Sequence, residues 1–128
     1  MRAAIDAKEA YLHVEVTGVF NLGEAKTISL RFLAACVDYG LARALVDHRP
    51  LTGQISVIER WDYSDFMARQ VHAHATAGRL RAPRLAYLGS ELVDPRRFGE
   101  LVAVNRGLIV RSTTRPEEAF EWLGIPES

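Results

Sequence analysis

This 128-residue chain has little cysteine and little lysine, and its formal net charge is zero. The single cysteine, Cys36, excludes an intramolecular disulfide, and its place inside an apolar helical pattern indicates a buried thiol. Lys8 and Lys26 are the only lysines, although sixteen basic side chains in all balance sixteen acidic ones. Because the formal net charge is zero, no global field favours nucleic acid or an anionic membrane surface.

Long apolar runs are also missing. Residues 1–6 contain no signal-peptide core, and no stretch approaches the roughly 20 apolar residues that cross a bilayer. We therefore expect a cytoplasmic protein without a membrane span. The chain shows no repeat, linker or low-complexity segment. With 48% hydrophobic and 25% charged residues, it has the composition of one globular domain over residues 1–128.

Hydrophobic periodicity divides the first part of the chain into a hairpin, a helix and a buried strand. Residues 11–16 alternate apolar and polar side chains, and a short polar turn before them favours an antiparallel hairpin with the apolar N-terminal stretch. Apolar residues recur at threes and fours over 22–39, which predicts a helix between the N-cap Asn21 and the terminating Gly40. Residues 41–46 are short and uniformly apolar, as in a strand covered on both faces.

Helices and strands then alternate to the end of the sequence. Ser56 and Glu59 form a capping-box pattern that opens a helix running to about Ala75. A strand follows over 85–88, and then a third helix that Asp94 caps before Pro95 and that Gly107 ends. A fifth strand covers 108–110. The closing helix opens with the capping-box pattern of Thr114 and Glu117 and runs through Leu123. The order β-β-α-β-α-β-α-β-α predicts a single α/β domain with a mixed five-stranded sheet and four helices.

The run "RFGELVAVNRGLIVRSTTRPEEAFEWL" carries a family resemblance. It is similar to the C-terminal part of the small bacterial SpoIIAA-like (STAS/Sec14-like) proteins, which close with a strand, a polar loop and an "EEA-x-x-WL" helix, here Glu117–Leu123. The element order of the whole chain resembles the STAS domain of the sporulation anti-sigma-factor antagonist. The resemblance implies a STAS-like fold and a regulatory role.

The same resemblance bears on phosphorylation. The antagonist's phosphoacceptor serine lies after the third strand, at the start of the second helix, in a pattern close to Asp-Ser-Ser/Thr-Gly. The nearest match is the segment 50–53, Pro-Leu-Thr-Gly, which places Leu51 at the acceptor position. Leucine has no hydroxyl, so the simple phosphoswitch is not implied. If this loop is phosphorylated, Thr52 is the favoured acceptor.

Ligands of open α/β sheets collect beyond the carboxyl ends of the parallel strands. Three loops lie there in the predicted topology, and helix N-termini within them suit an anion. Their candidate side chains are Asp47, His48, Arg49, Thr52, Ser90, Asp94, Ser112 and Thr113. Ser56, Asp94 and Thr114 have a ready explanation as helix caps. Asp47 and His48 are less explained by local structure, and we retain them with Thr52 as candidates for ligand or partner binding.

No catalytic residue, metal site or cofactor is predicted. An Asp47-His48-Ser56 triad is disfavoured because neighbouring strand side chains point apart and the Gly-x-Ser-x-Gly elbow is missing. His72 and His74 are two apart on a helix, so they do not share a face, and two ligands are too few for zinc. The basic loop with Arg79, Arg81 and Arg84 lacks the interleaved aromatics that bind single-stranded nucleic acid.

The second helix has two apolar arcs at about 100° per residue. We take the arc of Val57, Ile58, Trp61, Ala68 and Val71 as the core stripe. The arc of Tyr63, Phe66 and Met67 would then pack on another subunit, line an apolar cavity or lie beneath a loop. The favoured function is a non-enzymatic regulatory or protein-interaction module, a homodimer that binds a regulatory protein partner through this helix and the preceding loop. The alternative is a carrier or sensor of a small apolar or lipid-like ligand, with Trp61, Tyr63, Phe66 and Met67 as its pocket wall.

Overall fold

The computed structural model describes residues 1–89 and 97–127, which form six strands and four helices. The strands are β1 (Arg2–Ala7), β2 (Leu12–Val19), β3 (Arg43–Asp47), β4 (Leu51–Thr52), β5 (Arg84–Leu88) and β6 (Ile109–Thr113). The helices are α1 (Leu22–Tyr39), α2 (Val57–Thr76), α3 (Phe98–Asn105) and α4 (Pro116–Leu123). The predicted order of five main strands and four helices is confirmed, and the two-residue strand β4 is an addition.

The main sheet is mixed, with the strand order β1-β2-β3-β5-β6. β1 and β2 form the predicted antiparallel hairpin, with Ile5 opposite Val14. All other neighbours in this sheet are parallel, because each is joined to the next through a helical crossover. The short β4 pairs in parallel with the far end of β2, where Val19 lies opposite Thr52. The carboxyl ends of the parallel strands therefore meet at one edge, beside the loop that leads into α2.

Helices cover the two faces of the sheet unequally. One buried cluster joins alternate residues of the sheet, such as Val14 and Val46, to Phe32 of α1, Met67 of α2 and Ala103 of α3. A second cluster packs α4 on the opposite face through Tyr11, Leu45, Ala86, Leu88, Ala119, Phe120, Leu123 and Ile125. Tyr11 and Phe120 meet edge to face, with ring centroids 5.6 Å apart. The sheet thus lies between a three-helix layer and a single closing helix.

Two helix starts form as the sequence predicts. The Asn21 side chain accepts the Glu24 N–H at 3.0 Å and caps α1, which ends at Gly40 in the left-handed conformation, φ 66°. The Ser56 hydroxyl accepts the Glu59 N–H at 3.1 Å, while the Glu59 carboxylate accepts the Ser56 N–H at 3.0 Å. This reciprocal pair satisfies two backbone donors that a helix otherwise leaves without an internal partner.

The predicted orientation of α2 is wrong in its N-terminal half. Val57 and Ile58 are 59% and 79% exposed, whereas Met67 is only 1% exposed and belongs to the core. Tyr63 and Phe66 are half-buried and pack against the same cluster. Ile58 precedes Met67 by nine residues, which at about 100° per residue places the two side chains on opposite sides of the helix. Tertiary contacts of the later turns therefore fix the helix rotation and leave the first turns apolar and exposed.

The start of α4 also differs from the prediction. Thr114 does not cap the helix; residue 115 occupies the N-cap position without a side-chain hydrogen bond. Instead, the Thr113 hydroxyl accepts the Arg115 N–H at 3.2 Å and donates to Glu118 at 2.9 Å. The hydroxyl that organises the turn thus comes from the preceding position, at the end of β6. The predicted cap at Asp94 and the candidate Ser90 lie outside the described residues.

Candidate binding cavity

An apolar cavity of about 120 Å³ lies between the sheet and the three-helix layer. Its sheet wall comes from Val16, Val46, Tyr87, Val110 and Ser112, and its helix walls come from Ala25, Ile28, Ser29, Phe32, Tyr63, Ser64, Met67, Gly99, Glu100 and Ala103. His48, Leu51, Ile55 and Arg60 add the loop between β3 and α2 and its first turns. The cavity therefore lies near the carboxyl ends of the parallel strands, where the topology predicts ligand binding.

Three hydroxyl groups form a chain along the cavity wall. The Ser29 oxygen lies 2.7 Å from the Tyr63 oxygen, which lies 2.8 Å from the Tyr87 oxygen. Ser29 also donates to the Ala25 carbonyl at 2.9 Å, which uses its one hydroxyl hydrogen. Tyr63 must therefore donate to Ser29, and Tyr87 must donate to Tyr63. The chain ends at the Tyr87 oxygen, which keeps its acceptor capacity.

Burial sets the protonation state of the two tyrosines. It raises the pKa of Tyr63, and the hydrogen bonds with Ser29 and Tyr87 offset this only in part. Burial also raises the pKa of Tyr87 well above its ordinary value, and the neighbouring Tyr63 raises it further. Both phenols therefore stay neutral at physiological pH. The cavity presents hydroxyl dipoles to an occupant and no phenolate charge.

His48 follows β3 and packs against the end of this hydroxyl chain. Its ring meets the Tyr87 ring edge to face, with centroids 5.7 Å apart and planes at 85°. Its backbone N–H donates to the Leu88 carbonyl at 2.9 Å, which anchors the loop to β5. A Cβ atom on Gly89 would lie 3.0 Å from His48 Nε2, so the glycine makes room for the imidazole. His48 is thus a positioned part of the cavity wall.

Asp47 lies on the opposite side of the sheet from His48, as strand alternation requires. Its carboxylate is buried and accepts three hydrogen bonds from Arg49, one from the backbone N–H at 3.1 Å and two from the guanidinium at 3.0 and 2.8 Å. Burial alone would raise the pKa of Asp47, but the hydrogen bonds and charge of Arg49 prevail and lower it. The pair closes the β3 turn on the face that carries α4.

The other predicted binding residues occupy separate positions. Thr52 is exposed in β4 and donates its hydroxyl to the Gly18 carbonyl at 3.1 Å. Phe66 lies beneath the Lys26 ammonium, which is 5.4 Å from the ring centroid. The Arg106 guanidinium lies over the exposed Trp61 ring, 5.0 Å from the ring centroid. Of the seven predicted residues, His48, Tyr63 and Met67 line the cavity, and Asp47, Thr52, Trp61 and Phe66 do not.

Sequence reasoning missed the residues that give the cavity its polarity. Ser29 sits in the apolar stripe of α1, and Tyr87 interrupts an otherwise aliphatic buried strand. A polar atom within an apolar pattern is a signal that a partner exists inside the protein. Ser64 is a third example, since its buried hydroxyl donates to the Gly99 carbonyl at 3.0 Å and ties α2 to α3. The sequence could not give the hydrogen-bond partners of Ser29, Tyr87 and Ser64 on other elements, because tertiary packing brings these groups together.

The described residues contain no group of three His, Cys, Asp or Glu side chains that could hold a metal ion. The two histidines on α2 have neighbours of their own. His72 lies 3.5 Å from the Thr76 hydroxyl, and His74 accepts a hydrogen bond from Arg79 at 3.0 Å. Burial and the Arg79 charge lower the pKa of His74. Among the described residues, no helix is long and apolar enough to cross a membrane.

Comparison with known proteins identifies the fold through structure. No protein-family model and no curated protein matches the sequence. An anti-sigma factor antagonist from Mycobacterium paratuberculosis superposes with a TM-score of 0.58 and 14% identity, covering 96% of this chain and 93% of that one. The anti-sigma factor antagonist SpoIIAA in its unphosphorylated form gives 0.58 and 11%, covering 98% and 100%. An uncharacterised protein with a SpoIIAA-like fold from Shewanella loihica gives 0.50 and 16%, covering 95% and 92%. The chain therefore has the SpoIIAA-like, STAS-type fold over nearly its whole length.

Proposed function

We propose that this protein is a non-enzymatic regulatory module that acts through protein contacts at the start of α2, where a second copy of the chain binds to form a homodimer. The observation that carries the proposal is the apolar face formed by Val57, Ile58 and Trp61, which is 59%, 79% and 44% exposed. The solvent side of a helix is ordinarily polar. An exposed group of large apolar side chains is typical of a protein-interaction site.

The composition of this apolar face fits an interface core. Tryptophan and arginine are enriched among residues that dominate binding energy, and Trp61 already lies under the Arg106 guanidinium. Arg106 is in turn held by Asp65 at 2.7 Å. The indole and the guanidinium are therefore positioned before any partner arrives, which lowers the entropic cost of association.

The fold supports a regulatory role in place of catalysis. Two of the similar structures are described as anti-sigma factor antagonists, a term for proteins that act on a regulatory protein. Asp47 and His48 lie on opposite sides of the sheet, and the Ser56 hydroxyl is occupied by the Glu59 N–H. These three residues therefore do not assemble into a nucleophilic triad. A regulatory partner would use the same apolar face together with the adjoining loop and its exposed Thr52.

A double substitution tests the interface without weakening the helix. Val57 and Ile58 occupy the first two positions of α2, where an acidic side chain is favourable to the helix dipole. Val57→Asp with Ile58→Asp should therefore keep the melting temperature while placing two charges in the interface. We expect sedimentation velocity to report a concentration-dependent dimer for the unmodified protein and a monomer for the double variant.

Tyr39→Asp is the matched control, because Tyr39 is an exposed large side chain at the far end of α1. This variant should sediment like the unmodified protein. A protein that remains monomeric at every concentration would refute the homodimer. A double variant that stays dimeric would show that the copies meet elsewhere.

A further inference from the structure

We propose that the cavity between the sheet and α1, α2 and α3 is a binding site for a small, uncharged apolar molecule that carries one hydrogen-bond donor, such as a phenol or a short alcohol. The site is separate from the apolar face of α2, and it does not depend on the proposed homodimer. Three features carry this inference: the size of the cavity, the polarity of its hydroxyl chain and the uncharged state of that chain.

The size of the cavity limits the occupant. Its volume is about 120 Å³. An engineered apolar cavity of about 150 Å³ binds benzene, so this smaller space suits a single small ring of about six non-hydrogen atoms, with one substituent atom at the edge that borders the solvent. Met67, Phe32 and Val46 supply apolar walls that are almost fully buried. A long acyl chain would not fit without movement of the walls.

The direction of the hydroxyl chain selects the polar group of the ligand. Because Ser29 donates to the Ala25 carbonyl, each tyrosine donates toward Ser29, and the Tyr87 oxygen is left as an acceptor. A ligand hydroxyl or N–H can donate to that oxygen. A carboxylate has no hydrogen to donate to that oxygen, and it would meet a mostly apolar wall whose charged side chains are Arg60, at the edge, and Glu100, whose carboxylate opposes it. The cavity should therefore take phenol and reject benzoate.

The edge of the site shows how a ligand reaches it. Leu51, Ile55 and Arg60 line the cavity and are only half-buried, so the loop before α2 and the first turn of α2 border both the cavity and the solvent. His48, in the same loop, packs on Tyr87 at the end of the hydroxyl chain. A bound ring would lie beside the imidazole and the phenol together, within the aromatic part of the wall.

Titration of the purified protein with phenol, toluene and benzoate tests this assignment, with the Met67 methyl signal followed by NMR. Phenol and toluene have the same shape and differ in the hydroxyl. We expect phenol to bind about three- to ten-fold more tightly than toluene, in line with one net hydrogen bond. Benzoate should not bind. Equal binding of phenol and toluene would refute the donor requirement, and no shift with either compound at millimolar concentration would refute the site.

Two kinds of variant assign the effect to the cavity. Tyr63→Phe with Tyr87→Phe keeps the ring volumes and removes both hydroxyls, so the preference for phenol should be lost while toluene still binds. Tyr39→Phe, at an exposed tyrosine, should keep the preference. Ala103→Leu on α3 and, separately, Ala25→Leu on α1 should fill the cavity and abolish binding of both compounds. A folded filling variant that still binds phenol would place the ligand elsewhere.

Discussion

Leu123→Ala tests the role of α4 as the cover of the second sheet face. Leu123 is 0% exposed and lies in the cluster with Phe120, Leu45 and Leu88. Replacing a buried leucine by alanine costs about 2–5 kcal/mol, since the lost transfer free energy adds to that of the cavity left behind. Against a total stability of about 5–15 kcal/mol, this is a large fraction. The free energy of unfolding from urea titration, followed by far-UV circular dichroism, should fall by roughly 3 kcal/mol.

An exposed leucine provides the control for this measurement. Leu101 on α3 is 59% exposed, and Leu101→Ala should change the free energy of unfolding by less than about 0.5 kcal/mol. The expected difference between the two variants therefore depends on burial alone, because the chemical change is the same. If both variants lost the same small amount of stability, α4 would not be docked on the sheet as described.

Three further predictions concern the loops at the carboxyl edge of the sheet. Because Arg49 lowers the folded-state pKa of Asp47, the pair stabilises the protein above the unfolded pKa and loses that effect as pH falls through the folded one. In Asp47→Asn, the free energy of unfolding should therefore decrease less as the pH is lowered into the acidic range. An unchanged pH dependence would contradict the pairing. Ser56→Ala should cost about 0.5–2 kcal/mol in urea unfolding by removing the helix cap, so a value near zero would exclude the cap. Gly89→Ala should displace the His48 ring and shift its imidazole NMR signals, whereas unchanged signals would argue against their contact.

Local sequence signals predicted the elements whose ends are fixed by nearby residues. The limits of α1 follow from Asn21, Gly40 and the apolar spacing between them, all of which act within one helix. The start of α2 follows from the capping box of Ser56 and Glu59 in the same way. The hairpin and the buried strands needed only alternation and apolar runs. The contacts that end the helices and close the hairpin lie close along the chain, whereas the parallel strands were recognised by composition although their partners are 25 or more residues away.

Features set by distant contacts were not predictable from the sequence in the same way. The rotation of α2 depends on Tyr63 reaching Tyr87 and Ser29, which are 24 and 34 residues away. Periodicity revealed two apolar arcs on this helix, but not that the core would take Ala68 and Val71 from one arc and Met67 from the other. The strand β4 needs the end of β2 as its partner, and two residues are too few to leave a pattern. The cavity arises from the same distant packing, so its location at the sheet edge and three of its residues, His48, Tyr63 and Met67, were foreseen, but its hydroxyl chain was not.

Photo-crosslinking from position 58 tests the central claim most directly. Replacing Ile58 with a benzoylphenylalanine side chain places a short-range crosslinker in the middle of the exposed apolar face of α2. In a two-fold homodimer the same surface patch occurs on both sides of the contact, so the crosslink should join position 58 to α2 of a second copy, with peptides around Val57 and Trp61. Mass spectrometry after irradiation of the purified protein should identify this dimer, and the crosslinker at Tyr39 should not produce it. The absence of a crosslinked dimer from position 58, or a crosslink that maps away from α2, would contradict the account.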